Sequence, residues 1–297
     1  MSNTMLKIIA MVAMIFDHLW RFFPNSPYFF HWIGRISAPI FLFCCVLGYV
    51  HTSNKKRFFI RIYSLSIIVE FMNLILKIDD LRMNFIRTIF LVTVIIFIID
   101  KFREKNKNAK LYLYVFIGWQ IITTVGIYYL LYMGGVTDEA IFLITSLTAN
   151  IMFLDGGILF VLMGVLMFIF KDNKLKFSIY FIILTGIYVI LFNSPLILKL
   201  ESVLVNYSLF YLLFNLISYM ILGIHPMAVT VDILFGNPQW MMIFSLPFIF
   251  MYNGKKGRGL KYLFYIFYPL HIAILYICSM IFRWDYSWIK WVKDIII

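Results

Sequence analysis

The feature that most constrains this chain is a recurrence of apolar stretches of about 20 residues, separated by short loops that carry most of its positive charge. Such stretches run from about Met5 to Phe23, Phe29 to Val50, Phe58 to Leu76, Asn84 to Ile99 and Leu111 to Tyr132. The pattern returns from about Phe177 to Phe192, Val205 to Leu222 and Tyr262 to Phe282. A bilayer core offers no water to backbone N–H and C=O groups, so stretches of this kind fold as helices that satisfy themselves. Of the 297 residues, 63% are hydrophobic and 13% charged, and mean hydropathy is +0.92. A soluble domain is about half apolar and about a quarter charged. The chain is therefore expected to be all-α, a polytopic transmembrane helical bundle of the cell membrane. Its net charge of +12 reads as positively charged cytoplasmic loops rather than a nucleic-acid surface, because the basic residues fall between the spans.

The loops 51–61, 101–110, 171–176 and 253–261 hold most of the lysines and arginines. Placing all of them in the cytoplasm puts the N-terminus there as well. Two stretches are irregular. Region 139–170 is interrupted by Asn150 and Asp155-Gly156-Gly157, and region 223–252 by Pro226, Asp232, Gly236-Asn237-Pro238 and Pro247. Broken or re-entrant helices are expected in both, and these are tolerated only where buried in protein or lining a cavity. The path needs one net crossing in the first region and an even number in the second, for about ten to eleven crossings in all. Residues 1–282 read as a single domain. The tail 283–297, with Trp284, Trp288 and Trp291 among charges, reads as an interfacial amphipathic segment. Gly254–Gly259 reads as a flexible loop. Cys44, Cys45 and Cys278 lie in apolar runs and read as small buried side chains.

Polar residues inside the spans stand out against this background. A charge at mid-bilayer costs about 2.5–3.5 kcal/mol on insertion scales, so such residues face the bundle interior and pair. Asp17 and His18 fall in the outer half of the first span, and Arg35 lies at similar depth in the second. Glu70 and Asn73 lie in the third, Asn84 and Arg87 open the fourth, Asp155 lies in the broken region, and His271 is near the middle of the last span. All fall in one layer, which predicts a polar cavity in the outward half of the bundle. Asp17 or Glu70 is expected to pair with Arg35 or Arg87. Neighbouring helical residues point about 100° apart, so Asp17 and His18 are not expected to form a dyad by themselves. His31 and Trp32 read as an interfacial aromatic belt. His225 and Asp232 lack a third ligand at metal spacing, and no metal is expected.

Several motifs recur together: Asp17-His18 in the first span, Gly34-Arg35 with Pro39 and Phe41, and Gly48-Tyr49 with Thr52 before a basic loop. Further on come Arg61 and Tyr63, Val69-Glu70, Asn84 with Thr88, Asp155-Gly156-Gly157, and Tyr268-Pro269-Leu270-His271. In these the chain resembles the TraX family over most of its length. It departs at Val69, where Ser is usual, and at Arg87 beside Thr88. TraX proteins are associated with N-terminal acetylation of conjugative pilin. They are similar to a wider group of membrane acyltransferases acting on surface glycans and on heparan glucosaminide. The resemblance implies acetyl-CoA as donor and a peptide N-terminus or a glycan as acceptor. It also brings Thr88 and Tyr268 into the site with Glu70, Asn84 and Asp155.

Acyl transfer requires the acceptor to lose a proton as it attacks, and His is the side chain best matched to that at neutral pH. His18 is the expected general base. Asp17 is expected to orient Arg35 or bind the acceptor amine, and Arg35 to position substrate or stabilise an oxyanion. His271 is expected as a second proton-transfer group or as a donor to the thioester carbonyl. The donor's phosphates suit a cytoplasmic basic cluster, Lys55-Lys56-Arg57 with Arg61, although the same residues also serve topology. A different reading, a proton-coupled secondary transporter, uses the same intramembrane ionisable groups. The chain lacks the internal repeat common in transporters, which favours the enzyme.

Overall fold

The computed structural model describes residues 1–78, 83–193, 195–224 and 232–296, with side chains as far as Ile281 except Lys261. The expectations for His225, Pro226 and the tail's tryptophan side chains fall outside the described residues. The fold is all-helical, 77% helix, with no strand among the described residues.

Helix α1 (Asn3–Phe22) begins at Ser2, whose hydroxyl accepts from Met5 N. Its first-turn N–H groups lack partners within the helix, and the loop 253–259 supplies them. Asn3 N donates to Lys255 O at 2.9 Å and Thr4 N to Lys256 O at 3.1 Å, while the Thr4 hydroxyl bonds Lys256 O and Arg258 O. The Gly- and Lys-rich segment expected as a flexible loop is thus a cap strapped to α1. A tight turn at Pro24–Pro27 reverses the chain into α2 (Phe29–Gly34) and α3 (Ser37–His51). The second expected span is broken at Arg35-Ile36 because Pro39 has no N–H to offer the Arg35 carbonyl one turn back. Helix α4 (Lys55–Leu76) starts on the side chain of Asn54, which accepts from Arg57 N. Then come α5 (Phe85–Arg103) and α6 (Ala109–Met133). Helix α6 buries only Ala109, Gln120 and Ile127 and presents Ile122, Val125 and Tyr132 outward, as a lipid-facing helix does.

Region 139–170 is a broken helix, as expected: α7 (Asp138–Leu147) stops, the chain turns through 148–156, and α8 (Gly157–Phe170) resumes. Ala149, Phe153, Gly156 and Gly157 all have positive φ. At Gly157 only glycine serves, since a Cβ would overlap the carbonyl of Leu222. Buried irregular backbone must be satisfied by neighbours, and here it is. Asn150 bonds Thr123 (2.7 Å) and Thr124 (3.0 Å) of α6, Gln120 accepts from Ile151 N (3.0 Å), and Arg87 of α5 takes the carbonyls of Met152 and Phe153.

Helices α9 (Lys174–Asn193), α10 (Leu196–Leu204) and α11 (Ser208–Asn215) follow. Helix α11 widens into a π-helical turn, Leu216–Ile221, whose Met220 carbonyl accepts from Phe153 N. This expected span therefore ends against the broken segment. A 3₁₀ turn (Gln239–Phe244) runs into α12 (Ser245–Phe250), and α13 (Lys261–Ile296) closes the chain. Helix α13 is continuous past Phe282, so the backbone of the expected tail prolongs the last span.

Five helical segments are long and apolar enough to cross a membrane: 29–51, 55–76, 109–133, 174–193 and 262–281. The 157–170, 208–221 and 239–250 segments are shorter apolar helices. Helices α1, α3, α5 and α8 pack around the main core, which includes Leu6, Ile40, Val46, Val92 and Met163. The four basic loops gather at one end of the bundle with the N-terminus. The hydroxyl of Tyr49 bonds Asp100 at 2.9 Å, Lys55 lies over the Tyr49 ring, Arg103 lies over Phe168, and Lys174 lies over Phe250.

Candidate functional site

Asp17 and His18 sit about 21 Å along α1 from its start at the basic end, at about 1.5 Å of rise per residue. Helix α2 lies directly on α1 at this level because Gly34 has no side chain; a Cβ there would overlap Asp17. The next residue, Arg35, pairs with Asp17 Oδ1, and His31 Nδ1 lies 3.0 Å from the same oxygen. The expected Asp17–Arg35 ion pair is therefore present. His31, expected in an aromatic belt with Trp32, does lie among rings, its centroid 5.7 Å from that of Tyr28. It is buried, bonded to Asp17 and stacked on Trp20 with centroids 3.9 Å apart.

His18 turns the other way, as the helical geometry requires. Its Nδ1 lies 2.7 Å from Nε2 of His271 on α13. The other nitrogen of His271, Nδ1, lies 2.7 Å from the carbonyl of Phe267 and donates to it. A neutral His271 ring then has only an acceptor at Nε2, so His18 Nδ1 carries the proton between the rings. His18 Nε2 keeps its lone pair, and among the described residues nothing bonds it. The sequence Phe267 carbonyl, His271, His18 orients one basic nitrogen, as a carboxylate does in a catalytic triad.

These groups surround a polar cavity of about 230 Å³, lined by Asp17, His18, Arg21, His31, Arg35, Asp155, Gln239 and Tyr268, among others. Two buried polar atoms on its wall, Arg35 Nε and Gln239 Oε1, have no hydrogen-bond partner among the described residues. A buried donor or acceptor left unmade costs about 1–3 kcal/mol, which a substrate bonded to it offsets. A second cavity of about 130 Å³ is mostly apolar. It runs from Lys7, Gly48 and Phe58 to Met14, Phe41, Phe85 and Tyr268, and these last four residues line both cavities. The apolar cavity thus extends from the basic side of the bundle to the polar one. Tyr268 is held in the dividing wall by Phe85 N, which donates to its hydroxyl at 3.0 Å.

The remaining expected cavity residues lie behind this wall. Glu70 accepts from Asn84 Nδ2 (2.8 Å) and the Ser146 hydroxyl (2.6 Å). Arg87 is also fully buried and donates to Thr145, Ser146 and the carbonyls of Met152 and Phe153. Glu70 and Arg87 do not bond each other directly; Ser146 stands between them. Thr88 donates to the carbonyl of Asp155 at 2.8 Å. Glu70, Asn84 and Thr88 line neither cavity; the first two bond Ser146 of α7 and the third the Asp155 carbonyl, so they brace the broken segment.

The basic residues expected to meet the donor lie apart from both cavities, with Arg61 half-buried. Lys55 is turned onto Tyr49, bonding its carbonyl and its ring face, Lys56 and Arg57 are exposed, and none of the three lines either cavity. Arg61 is half-buried with Nε unpartnered among the described residues. Lys7 lines the apolar cavity, with its ammonium over Phe264. Lys7 and His31 line the two cavities and are not among the site residues that spacing singles out. Both leave a signal. His31 and Arg35 bracket the position opposite Asp17 across the Pro24–Pro27 turn, and Lys7, eleven residues before His18, falls on the same helix face. Among the described residues no group of three or more His, Cys, Asp or Glu side chains is arranged to hold a metal.

The sequence model described as TraX protein matches residues 2–133 and 102–279 of the chain. A curated protein described as probable fimbrial assembly protein FimC, serogroup H1, from Dichelobacter nodosus is 22% identical over 290 residues, covering 94% of this chain and 95% of its own. No solved structure matches the chain.

Proposed function

Because the chain belongs to the TraX family, we propose that it is a multi-pass membrane acetyltransferase. It moves an acetyl group from acetyl-CoA on one side of the membrane to an amine or hydroxyl of an acceptor on the other. The observation that carries this reading is the meeting of the two cavities at Met14, Phe41, Phe85 and Tyr268, with His18 on the polar side. An apolar passage leads from the basic end, and a polar chamber with an oriented basic nitrogen lies beyond it. Taking the basic end as cytoplasmic follows the distribution of lysine and arginine. The expected path of about ten to eleven crossings then needs the charged helices α1 and α5 and the shorter apolar helices as well as the five long apolar segments.

The acceptor enters the polar chamber, where Gln239 Oε1 is placed to receive one of its N–H or O–H groups. As the acceptor attacks the thioester carbonyl, His18 Nε2 takes its proton. The negative charge that develops on the carbonyl oxygen is held by the guanidinium of Arg35, itself fixed by Asp17. Collapse of the tetrahedral intermediate breaks the carbon–sulfur bond, and the proton on His18 returns to the leaving thiolate. His271 and the Phe267 carbonyl hold the His18 ring in the tautomer this requires. Lys7 and Arg61, at the donor side, suit the phosphates of the nucleotide. The relative described as a fimbrial assembly protein makes a pilin N-terminus the first acceptor to test, with surface glycans next.

The direct test is thermal unfolding of the purified chain with and without acetyl-CoA. A ligand at 100 times its Kd stabilises by about 2.7 kcal/mol, so a clear rise in midpoint is expected with acetyl-CoA and with CoA. An unchanged midpoint with both leaves a transporter as the better reading.

A further inference from the structure

We propose that the wall shared by the two cavities, formed by Met14, Phe41, Phe85 and Tyr268, sets the length of the acyl group that the protein accepts. This rests on the donor reading above and goes beyond it. A thioester that reacts at His18 has its sulfur in the apolar cavity and its carbonyl at the polar one. The acyl substituent then lies at the boundary, among the side chains that line both spaces.

That boundary is made of large, fixed groups. Phe85 and Tyr268 are 8% and 6% exposed, and the Tyr268 hydroxyl is tied to Phe85 N. The Phe85 ring meets Phe160 edge to face at 5.7 Å, and Phe160 meets Tyr188 likewise at 5.5 Å. These contacts hold both rings in place between the two cavities. Met14 is buried as well and closes the α1 side. Phe41 is half-buried and makes no hydrogen bond through its side chain. A methyl group fits such a boundary, and a longer chain meets ring atoms. One methylene in an apolar pocket is worth about 10- to 200-fold in discrimination.

The test compares binding of acetyl-CoA and butyryl-CoA to the purified full chain and to Met14→Ala and Phe41→Ala, read as a ratio of Kd values. The native chain is expected to prefer acetyl-CoA by at least about 10-fold, and each truncation to bring the ratio close to one. Phe41→Leu, which keeps an apolar side chain in place, serves if the alanine variants do not fold, and is expected to move the ratio the same way. A ratio that stays at the native value in folded variants overturns the inference, as does a native chain that binds both thioesters equally. A native chain that binds neither thioester overturns the donor reading itself and this inference with it.

Discussion

His18 and Asp17 are neighbours in sequence and belong to different units in the structure. Asp17 faces α2 and holds Arg35 and His31, while His18 faces α13 and is held by His271. Their separation follows from the turn angle of a helix, and it divides the site into an anchoring half and a proton-transfer half. His18→Ala is therefore expected to lower acetyl transfer by about 10²- to 10⁴-fold while leaving acetyl-CoA binding and thermal midpoint close to native. His271→Ala keeps the base and loses its orientation, so a smaller loss is expected, together with an altered pH profile. Steady-state rates for both variants against pH check this; equal losses with native-shaped profiles would remove the relay. Spacing could place Asp17, His18, Arg35 and His271 in one layer, because depth in a span follows from counting residues. Which imidazole meets which carboxylate depends on packing between helices, and residue counts do not carry that.

At the scale of elements, the site depends on how closely α2 lies on α1 and on how the break between α7 and α8 is held. Gly34→Val adds atoms where the Asp17 side chain already is, so α2 must move. Overpacking of this kind costs about 1–3 kcal/mol. The expected result is a lower midpoint and loss of transfer with every ionisable residue still present; native activity would contradict the close approach. Arg87 is the second such point. Removing one partner from a buried charge network costs about 3–5 kcal/mol, and Arg87→Ala also leaves the carbonyls of Met152 and Phe153 without their donor. A large drop in midpoint, with a comparable drop for Glu70→Ala, is expected from denaturation of both variants. The break at 148–156 is legible in sequence through Asn150 and Asp155-Gly156-Gly157, residues that punctuate an apolar run. The role of Glu70, Asn84 and Thr88 is not legible, because a buried polar residue has the same signature whether it braces the backbone or touches a ligand.

For the whole molecule, hydropathy and basic loops suffice to predict an all-helical membrane bundle, since the bilayer leaves few alternatives. They do less well where packing replaces hydropathy. The expected span from Val205 to Leu222 is helical over Ser208–Ile221, but it widens into a π-turn whose Met220 carbonyl accepts from Phe153 N. The region 253–259, read as a loose loop, clamps the N-terminus of α1. Both arise from contacts far apart in sequence, which a window of residues does not register. The gathering of the basic loops at one end does agree with a single charged face, and it sets the direction of the proposed transfer. Charge reversal at Lys7 is expected to weaken acetyl-CoA binding more than reversal at Lys55, Lys56 and Arg57 together. Calorimetric titration of the two variants checks this, and the opposite order would return the donor to the loop.

The central claim is that an acetyl group leaves acetyl-CoA and reaches an extracytoplasmic acceptor through His18. Mass spectrometry of pilins, secreted peptides and surface glycans tests it most directly, comparing cells that carry the native chain with cells that carry His18→Ala at equal expression. An acetylated amine or hydroxyl is expected with the native chain and is expected to be missing with His18→Ala. The same acetylation in both would contradict it.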